Sequence, residues 1–299
     1  MNKELRTFLE ENNIITKKIT IKNKVIIIDT GDKLLVIKRR NKDLDKLYKY
    51  LSSRSFDYYS NIIYKTKNYD IYEYIDDVDM DIEEKAMDII RIITLLHSKT
   101  TFYKDIDDDT YKEIYEDVNN KLDYLHNYYE DITSIIDNEE YMSPSNYLFV
   151  RNVTKVFQAI NYCKHNIDTW YNIIKEKKRV RIVNIHNNID MDHYLSGNKK
   201  VLISWDKSKK DMPIYDLIKI YKKYYNKIDF YDLLKNYEQV YPLFKEEKIL
   251  FFVLISIPEK IEFDEREYKM CLKIKKFYEY LITTEKLIDD YVPKEKSKQ

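Results

Sequence analysis

The sequence predicts an α+β chain in which a small antiparallel sheet comes first and a mainly helical part follows. Residues 17–40 alternate apolar and polar side chains, the period of a half-buried strand. From Asp79 onward the apolar residues step by three and four, the period of a helix face. A second alternating stretch, within residues 179–205, interrupts those helices.

Each element follows from local pattern. A short helix opens the chain at about Lys3 to Glu11. The stretch KKITIKNKVIIIDTGDKLLVIKRR turns at Asp29-Thr30-Gly31-Asp32, which predicts a three-stranded meander whose last strand runs out at Lys38. Leu44, Leu47, Tyr48 and Leu51 then share one helical face, and Asn61 to Lys65 and Asp70 to Tyr74 read as two more strands. The acidic segment Asp76 to Asp81 is the expected hinge, after which Ile82, Ala86, Ile89, Ile93 and Leu96 mark a helix with one buried face. Two long helices follow, one from Tyr111 to Ile136 and one carrying Phe149, Val153, Val156, Ile160 and Cys163, expected to pack antiparallel. Ser143-Pro144 is the start signal of the second, because a proline in a first turn gives up a donor that has no partner there. RVRIVNI and KKVLISW, joined by a polar loop, read as a hairpin over 179–206. Helical spacing resumes with Ile214, Leu217, Ile218, Tyr221 and Tyr225, and again around Ile249 to Ile257 and Met270 to Ile288. The expected organisation is a β-rich lobe over 1–78, a helical lobe over 79–292 and a disordered tail over 293–299.

Composition narrows the function classes. The chain of 299 residues is long enough for a large buried core. Its 52 basic and 52 acidic side chains cancel, so no global field draws it to nucleic acid or an anionic membrane. The longest apolar run, Ile249 to Ile257, falls far short of the ~20 residues a bilayer needs and reads as a buried helix. A charged start, MNKELRTFLEENN, and only two cysteines lead to the expectation of a cytoplasmic protein. The two glycines, Gly31 and Gly197, are too few and too far apart for a P-loop or a dinucleotide-binding turn, which need several close together.

The motifs that carry chemistry lie between His186 and Leu217: HNNIDMDHYL, then ISWD, then DMPIYDL. In order and spacing they resemble the catalytic loop H-x-D-x-x-x-x-N, the metal motif I-D-[WF]-[DE] and the D-P-x-x-D-L segment of the protein-kinase-like fold. The similarity is to aminoglycoside phosphotransferases and the spore-coat kinase-like proteins of Firmicutes. Leu95-Leu96-His97 is similar to that family's L-x-x-L-H helix end. The resemblance implies a two-lobed kinase-like fold with Lys38 on the nucleotide phosphates, ATP with magnesium as the ligand, and Asp216 as a structural tie. It also shows departures. His186 keeps its place, but Asn188 stands where the catalytic aspartate would be, His193 where the metal-binding asparagine would be, and Ser204 where the metal aspartate would be.

Phosphoryl transfer needs magnesium on oxygen ligands, a lysine on the phosphates and a group that positions the acceptor hydroxyl. Asn188 cannot take a proton, and losing a general base forfeits about 10²–10⁴ in rate. Ser204 has no charge for a metal, His193 suits zinc better than magnesium, and the helix after Lys38 offers Asp43 or Asp45 rather than glutamate. The turn Lys22-Asn23-Lys24 has no glycine to lie over a triphosphate. Two readings stand at this point. One is a degenerate kinase, a pseudokinase that binds a protein partner as a scaffold, with spore coat assembly the setting the resemblance implies. The other is an active phosphotransferase with a metal site rebuilt from Asp190, Asp192, His193 and Asp206, the acidic hinge drawing a cationic small molecule. Plainer roles stand beside them: Lys38 as an edge lysine, His186 as a brace for its loop, and Asp190, Asp192 and Asp206 as solvated carboxylates.

Overall fold

A computed structural model describes residues 3–22 and 25–291. In chain order its elements are α1 (Lys3–Glu11), β1 (Lys18–Lys22), β2 (Val25–Asp29), β3 (Leu34–Arg39), α2 (Asp45–Ser53), β4 (Ile62–Lys65), β5 (Tyr69–Glu73) and α3 (Ile82–Thr100). Next come β6 (Phe102–Asp105), α4 (Asp108–Asp137), α5 (Pro144–Val150), α6 (Val153–Lys175), β7 (Arg179–Ile185), β8 (Tyr194–Ser196), β9 (Lys200–Leu202) and β10 (Lys209–Asp211). Four helices close the chain: α7 (Ile214–Tyr224), α8 (Phe230–Val240), α9 (Lys245–Ser256) and α10 (Glu267–Tyr291). The chain divides into two compact units, one of residues 1–100 with 186–209 and one of 101–185 with 210–299. The expected boundary at residue 78 therefore moves: α3 and the segment 186–209 belong with the sheet. The tail over 293–299 and the tip of the Lys22-Asn23-Lys24 turn lie outside the described residues.

The first unit is built on a five-stranded antiparallel sheet in the order β1-β2-β3-β5-β4. The expected meander is present, with Val25 opposite Lys38 and Ile27 opposite Val36. Period-two alternation sorts the side chains. Ile28, Leu35, Ile37 and Ile71 face α1, whose Leu5, Phe8 and Leu9 seal a buried cluster with them. Burying a side chain of this kind stabilises by about 1.5–3 kcal/mol, which is what holds a nine-residue helix that would be marginal alone.

In the same unit β8 and β9 form a short hairpin whose Tyr194 pairs with Leu202. Tyr194 and Lys200 both donate to the buried Asp88 carboxylate of α3, at 2.7 and 2.6 Å. The turn of this hairpin holds Gly197 against the hinge, where an added Cβ would sit 2.6 Å from the Asp76 carbonyl oxygen. Only glycine permits that approach. This pairing corrects the expected hairpin over 179–206: β9 pairs with β8, and β7 belongs to the other unit.

The second unit is mainly helical. α6 packs against both α4 and α9, and α10 against α5, α6 and α9. α9, the apolar run of the sequence, buries Leu250, Phe251, Phe252, Val253 and Ile255, which lie around its circumference rather than on one face. The helix expected to begin at Ser143 is two helices. Ser143 does cap α5 through the Asn146 N–H at 3.2 Å. At the break the Asn152 side chain donates to the Leu148 carbonyl at 3.0 Å, competing with the backbone ladder, and its φ of −117° leaves the helical range.

β7 pairs antiparallel with β6, with Ile182 opposite Phe102. Local pattern hid β6, whose four residues FYKD are too short to alternate visibly. Arg181 of β7 lies buried, its guanidinium held by Glu247 of α9 and 2.9 Å from the Pro242 carbonyl, between the rings of Tyr241 and Phe244. A basic run that would ordinarily be solvated thus supplies a core ion pair. No helix among the described residues is long and apolar enough to cross a membrane.

Candidate functional site

The sheet face opposite α1 opens onto a cavity of about 320 Å³ that lies wholly within the first unit. Alternation places Val25, Ile27, Val36 and Tyr72 on this face, and Leu195 and Ile203 line it from the later segment. The result is an apolar slot with a charged end. Burial pushes the hydroxyls of Tyr48 and Tyr72 well above the ordinary tyrosine value, so both remain neutral donors.

The charged end is built around Lys38. It extends from β3, the central strand, so it is a cavity lysine rather than one on a sheet edge. Its ammonium lies 2.9 Å from the Asp206 carboxylate and 3.5 Å from Ser204 Oγ. Asp43 and Asp45, the first acids after it in the sequence, both pair with Lys65 instead. The acid partner of Lys38 therefore comes from far along the chain, on a 3-10 turn over Trp205–Lys207. Ser204, just before that turn, has φ 64° and ψ 49°. This left-handed conformation costs a non-glycine residue roughly 1–2 kcal/mol and is a mark of functional turns.

The loop from His186 to His193 is held by hydrogen bonds to the backbone. The Asn188 N–H donates to His186 Nδ1 at 3.3 Å, which leaves Nε2 as the protonated nitrogen, donating to the Ile203 carbonyl at 3.0 Å. His186 is fully buried and its ring meets Trp205 edge-on at 4.5 Å, so it braces the loop as a neutral imidazole. The Asn188 side-chain amide donates to the Ser204 backbone carbonyl at 3.2 Å, and the Asn188 backbone carbonyl accepts from His193 Nδ1 at 2.6 Å. Asp190 caps a 3-10 turn by accepting from the Asp192 N–H at 3.3 Å.

The structure thus brings Lys38, Ser204 and Asp206 together, with Asn188 tied to the Ser204 backbone. It does not gather Asp190, Asp192 and Asp206: among the described residues no three His, Cys, Asp or Glu side chains form a metal-holding group. Asp216 lies fully buried in the first turn of α7, in the second unit. The acidic hinge is partly neutralised, since Asp77 pairs with Lys85 at 3.1 Å and Asp81 accepts from the Ile82 N–H at 2.9 Å. Sequence reading missed the slot residues Tyr48 and Tyr72, although period-two alternation from Lys38 and Val36 would have pointed to Tyr72 on the neighbouring strand.

ATP with magnesium is what the sequence resemblance implies, and the residues fit it in part. The apolar residues Val25, Ile27, Val36, Leu195 and Ile203 suit an aromatic ring, and Lys38 suits a phosphate. The magnesium end does not fit: a hydroxyl at 204, an imidazole at 193 and an amide at 188 are poor partners for a hard cation, and the carboxylate beside Lys38 is already engaged.

No family sequence model and no curated protein matches the chain by sequence. Solved structures do match. An aminoglycoside phosphotransferase from Alicyclobacillus acidocaldarius is similar with a TM-score of 0.67 at 7% identity, over 93% of this chain and 92% of that one. A spectinomycin phosphotransferase in complex with ADP and spectinomycin is similar with a TM-score of 0.52 at 12% identity, over 94% of this chain and 98% of that one. Likeness at such low identity speaks to the fold, and the chain has the α+β protein-kinase-like fold, with an antiparallel sheet in its N-lobe and a mainly helical C-lobe.

Proposed function

We propose that the chain is a kinase-like protein that takes a nucleotide or nucleoside into the slot of its first unit without transferring phosphate, and that it serves as a binding or scaffold protein. The observation that carries this is the state of the loop. Asn188 Nδ2 and His193 Nδ1 are each spent on a backbone carbonyl, Ser204 is uncharged, and Asp206 is paired with Lys38. A base for an acceptor hydroxyl and a second carboxylate for magnesium are what phosphoryl transfer would require of these positions. Under this reading the partner is another protein, and spore coat assembly is the setting that the resemblance to spore-coat kinase-like proteins suggests. Asp216 retains the structural role of its motif position.

A titration of ATP followed by thermal shift, with and without magnesium, on wild type and on Lys38→Ala tests it. Stabilisation that is independent of magnesium and weakened in Lys38→Ala is the expected result. ATP turnover above the Lys38→Ala control, with magnesium or manganese present, refutes it.

The second reading, an active phosphotransferase, is favoured by one observation: a carboxylate does stand 2.9 Å from Lys38. If Asp206 holds a metal there, Asp206→Asn abolishes turnover. If it is only the ion partner of Lys38, the same change alters stability modestly and turnover is absent in both proteins.

A further inference from the structure

Among the described residues β1 stands at the end of the five-stranded sheet, with β2 on one side. Its residues, Lys18 to Lys22, are all exposed. An edge strand of this kind presents a row of backbone N–H and C=O groups that can pair with a further strand. The register with β2 sorts its side chains between the two faces. Ile19 stands opposite Ile28 and Ile21 opposite Ile26, on the α1 face, where Ile28 is buried and Ile26 packs against the same cluster. Yet Ile19 and Ile21 are 43% and 72% exposed, so the apolar layer runs one strand beyond its cover. Lys18, Thr20 and Lys22 take the opposite face, Lys22 at the rim of the slot. The one acid of β2, Asp29, lies opposite Lys18, and its carboxylate accepts from the Gly31 N–H at 2.7 Å in the turn.

We propose that β1 takes up an extended segment of a partner protein as a sixth strand, with aliphatic residues beside Ile19 and Ile21 and acidic residues beside Lys18 and Lys22. Main-chain bonds supply the affinity of such an addition and alternate side chains its specificity. Charge selects the occupant. A second copy of this chain, pairing β1 with β1 so that isoleucine meets isoleucine, would centre on Thr20 and set Lys18 across from Lys22 twice. Like charges directly opposite destabilise a sheet, whereas an acidic strand meets the same lysines with opposite charge. The inference rests on the scaffold reading for the existence of a protein partner, and not on nucleotide binding.

The probe is the peptide SEVTVES, whose palindromic order serves either strand direction, titrated into the full chain and followed by amide chemical shifts. It is expected to shift the amides of β1 and β2, to bind at least fivefold more tightly than SKVTVKS, and to lose binding when its three central residues are N-methylated. In the variant carrying Lys18→Glu and Lys22→Glu the preference between the two peptides is expected to reverse. Failure of SEVTVES to bind wild type overturns the proposal, and so does equal binding of its N-methylated form, which would leave a contact of charge alone. A wild-type dimer in sedimentation that protects the β1 amides also overturns it, because the edge then belongs to a second copy. Should the double variant fold poorly, the comparison of the three peptides on wild type decides alone. The thermal shift with ATP, read on the same wild-type sample, separates the two readings: its absence with peptide binding intact sinks the nucleotide slot and leaves the sixth strand standing.

Discussion

Ser204 concentrates the chemistry of the site into one position. Its backbone adopts the left-handed conformation that asparagine and aspartate tolerate better than most residues, and its Oγ lies 3.5 Å from the Lys38 ammonium. A carboxylate placed there would meet no conformational obstacle and would give the site a second acid beside Asp206. Ser204→Asp is therefore expected to make ATP binding depend on magnesium, with about tenfold tighter affinity when the metal is present, a change of roughly 1.4 kcal/mol. Calorimetric titration with and without magnesium checks it, and an affinity that ignores the metal would show that residue 204 does not face the phosphates. Turnover is expected to stay absent in this variant, because Asn188 still offers an amide where a proton must be accepted.

Elements were legible in the sequence to the extent that their cause was local. The meander, α1, α2, α3 and α9 follow from side-chain period and turn residues, and the structure has them where the pattern put them. β6 and the Lys38–Asp206 contact depend on residues far apart in the chain, where period carries no information about partners, and β8 and β9, though neighbours in sequence, are three residues each and too short to show a period. Asp88 shows the same limit: on α3 it looks like a surface acid, yet it is buried and holds the β8–β9 hairpin. Burial raises its pKa, but the hydrogen bonds from Lys200 and Tyr194 outweigh that, so Asp88 titrates below the ordinary aspartate value. A carboxyl lowered in the folded state stabilises fully above its unfolded value of about 3.9 and loses that contribution as pH falls through the folded value. Asp88→Asn is expected to lower stability at pH 7 by about 1–3 kcal/mol, with the gap from wild type closing toward pH 3. Urea unfolding at several pH values measures this, and a gap that does not change with pH would mean that the charge on Asp88 contributes nothing.

At the scale of the whole chain the informative fact is that neither unit is a continuous segment. The chain leaves the first unit after Thr100, returns at His186 and leaves again after Lys209. A boundary drawn from composition at residue 78, or any single cut, therefore divides a core rather than a linker. A fragment ending at Thr100 would keep the five strands and α3 but lose Asp206 from Lys38, and Tyr194 and Lys200 from Asp88. It would also expose the apolar slot face of the sheet, where Leu195, Ile203 and Trp205 now stand. Leaving a buried carboxylate without its partners alone costs several kcal/mol, comparable to the whole stability of a domain this size. The fragment 1–100 is thus expected to show no cooperative thermal transition by circular dichroism and rapid amide exchange along β3 and β5, with the full chain, measured alongside, expected to be protected there. A cooperative transition in the isolated fragment would show that the cluster of Leu5, Phe8, Leu9, Ile28, Leu35, Ile37 and Ile71 suffices for folding, and that residues 186–209 serve the site without sustaining the sheet.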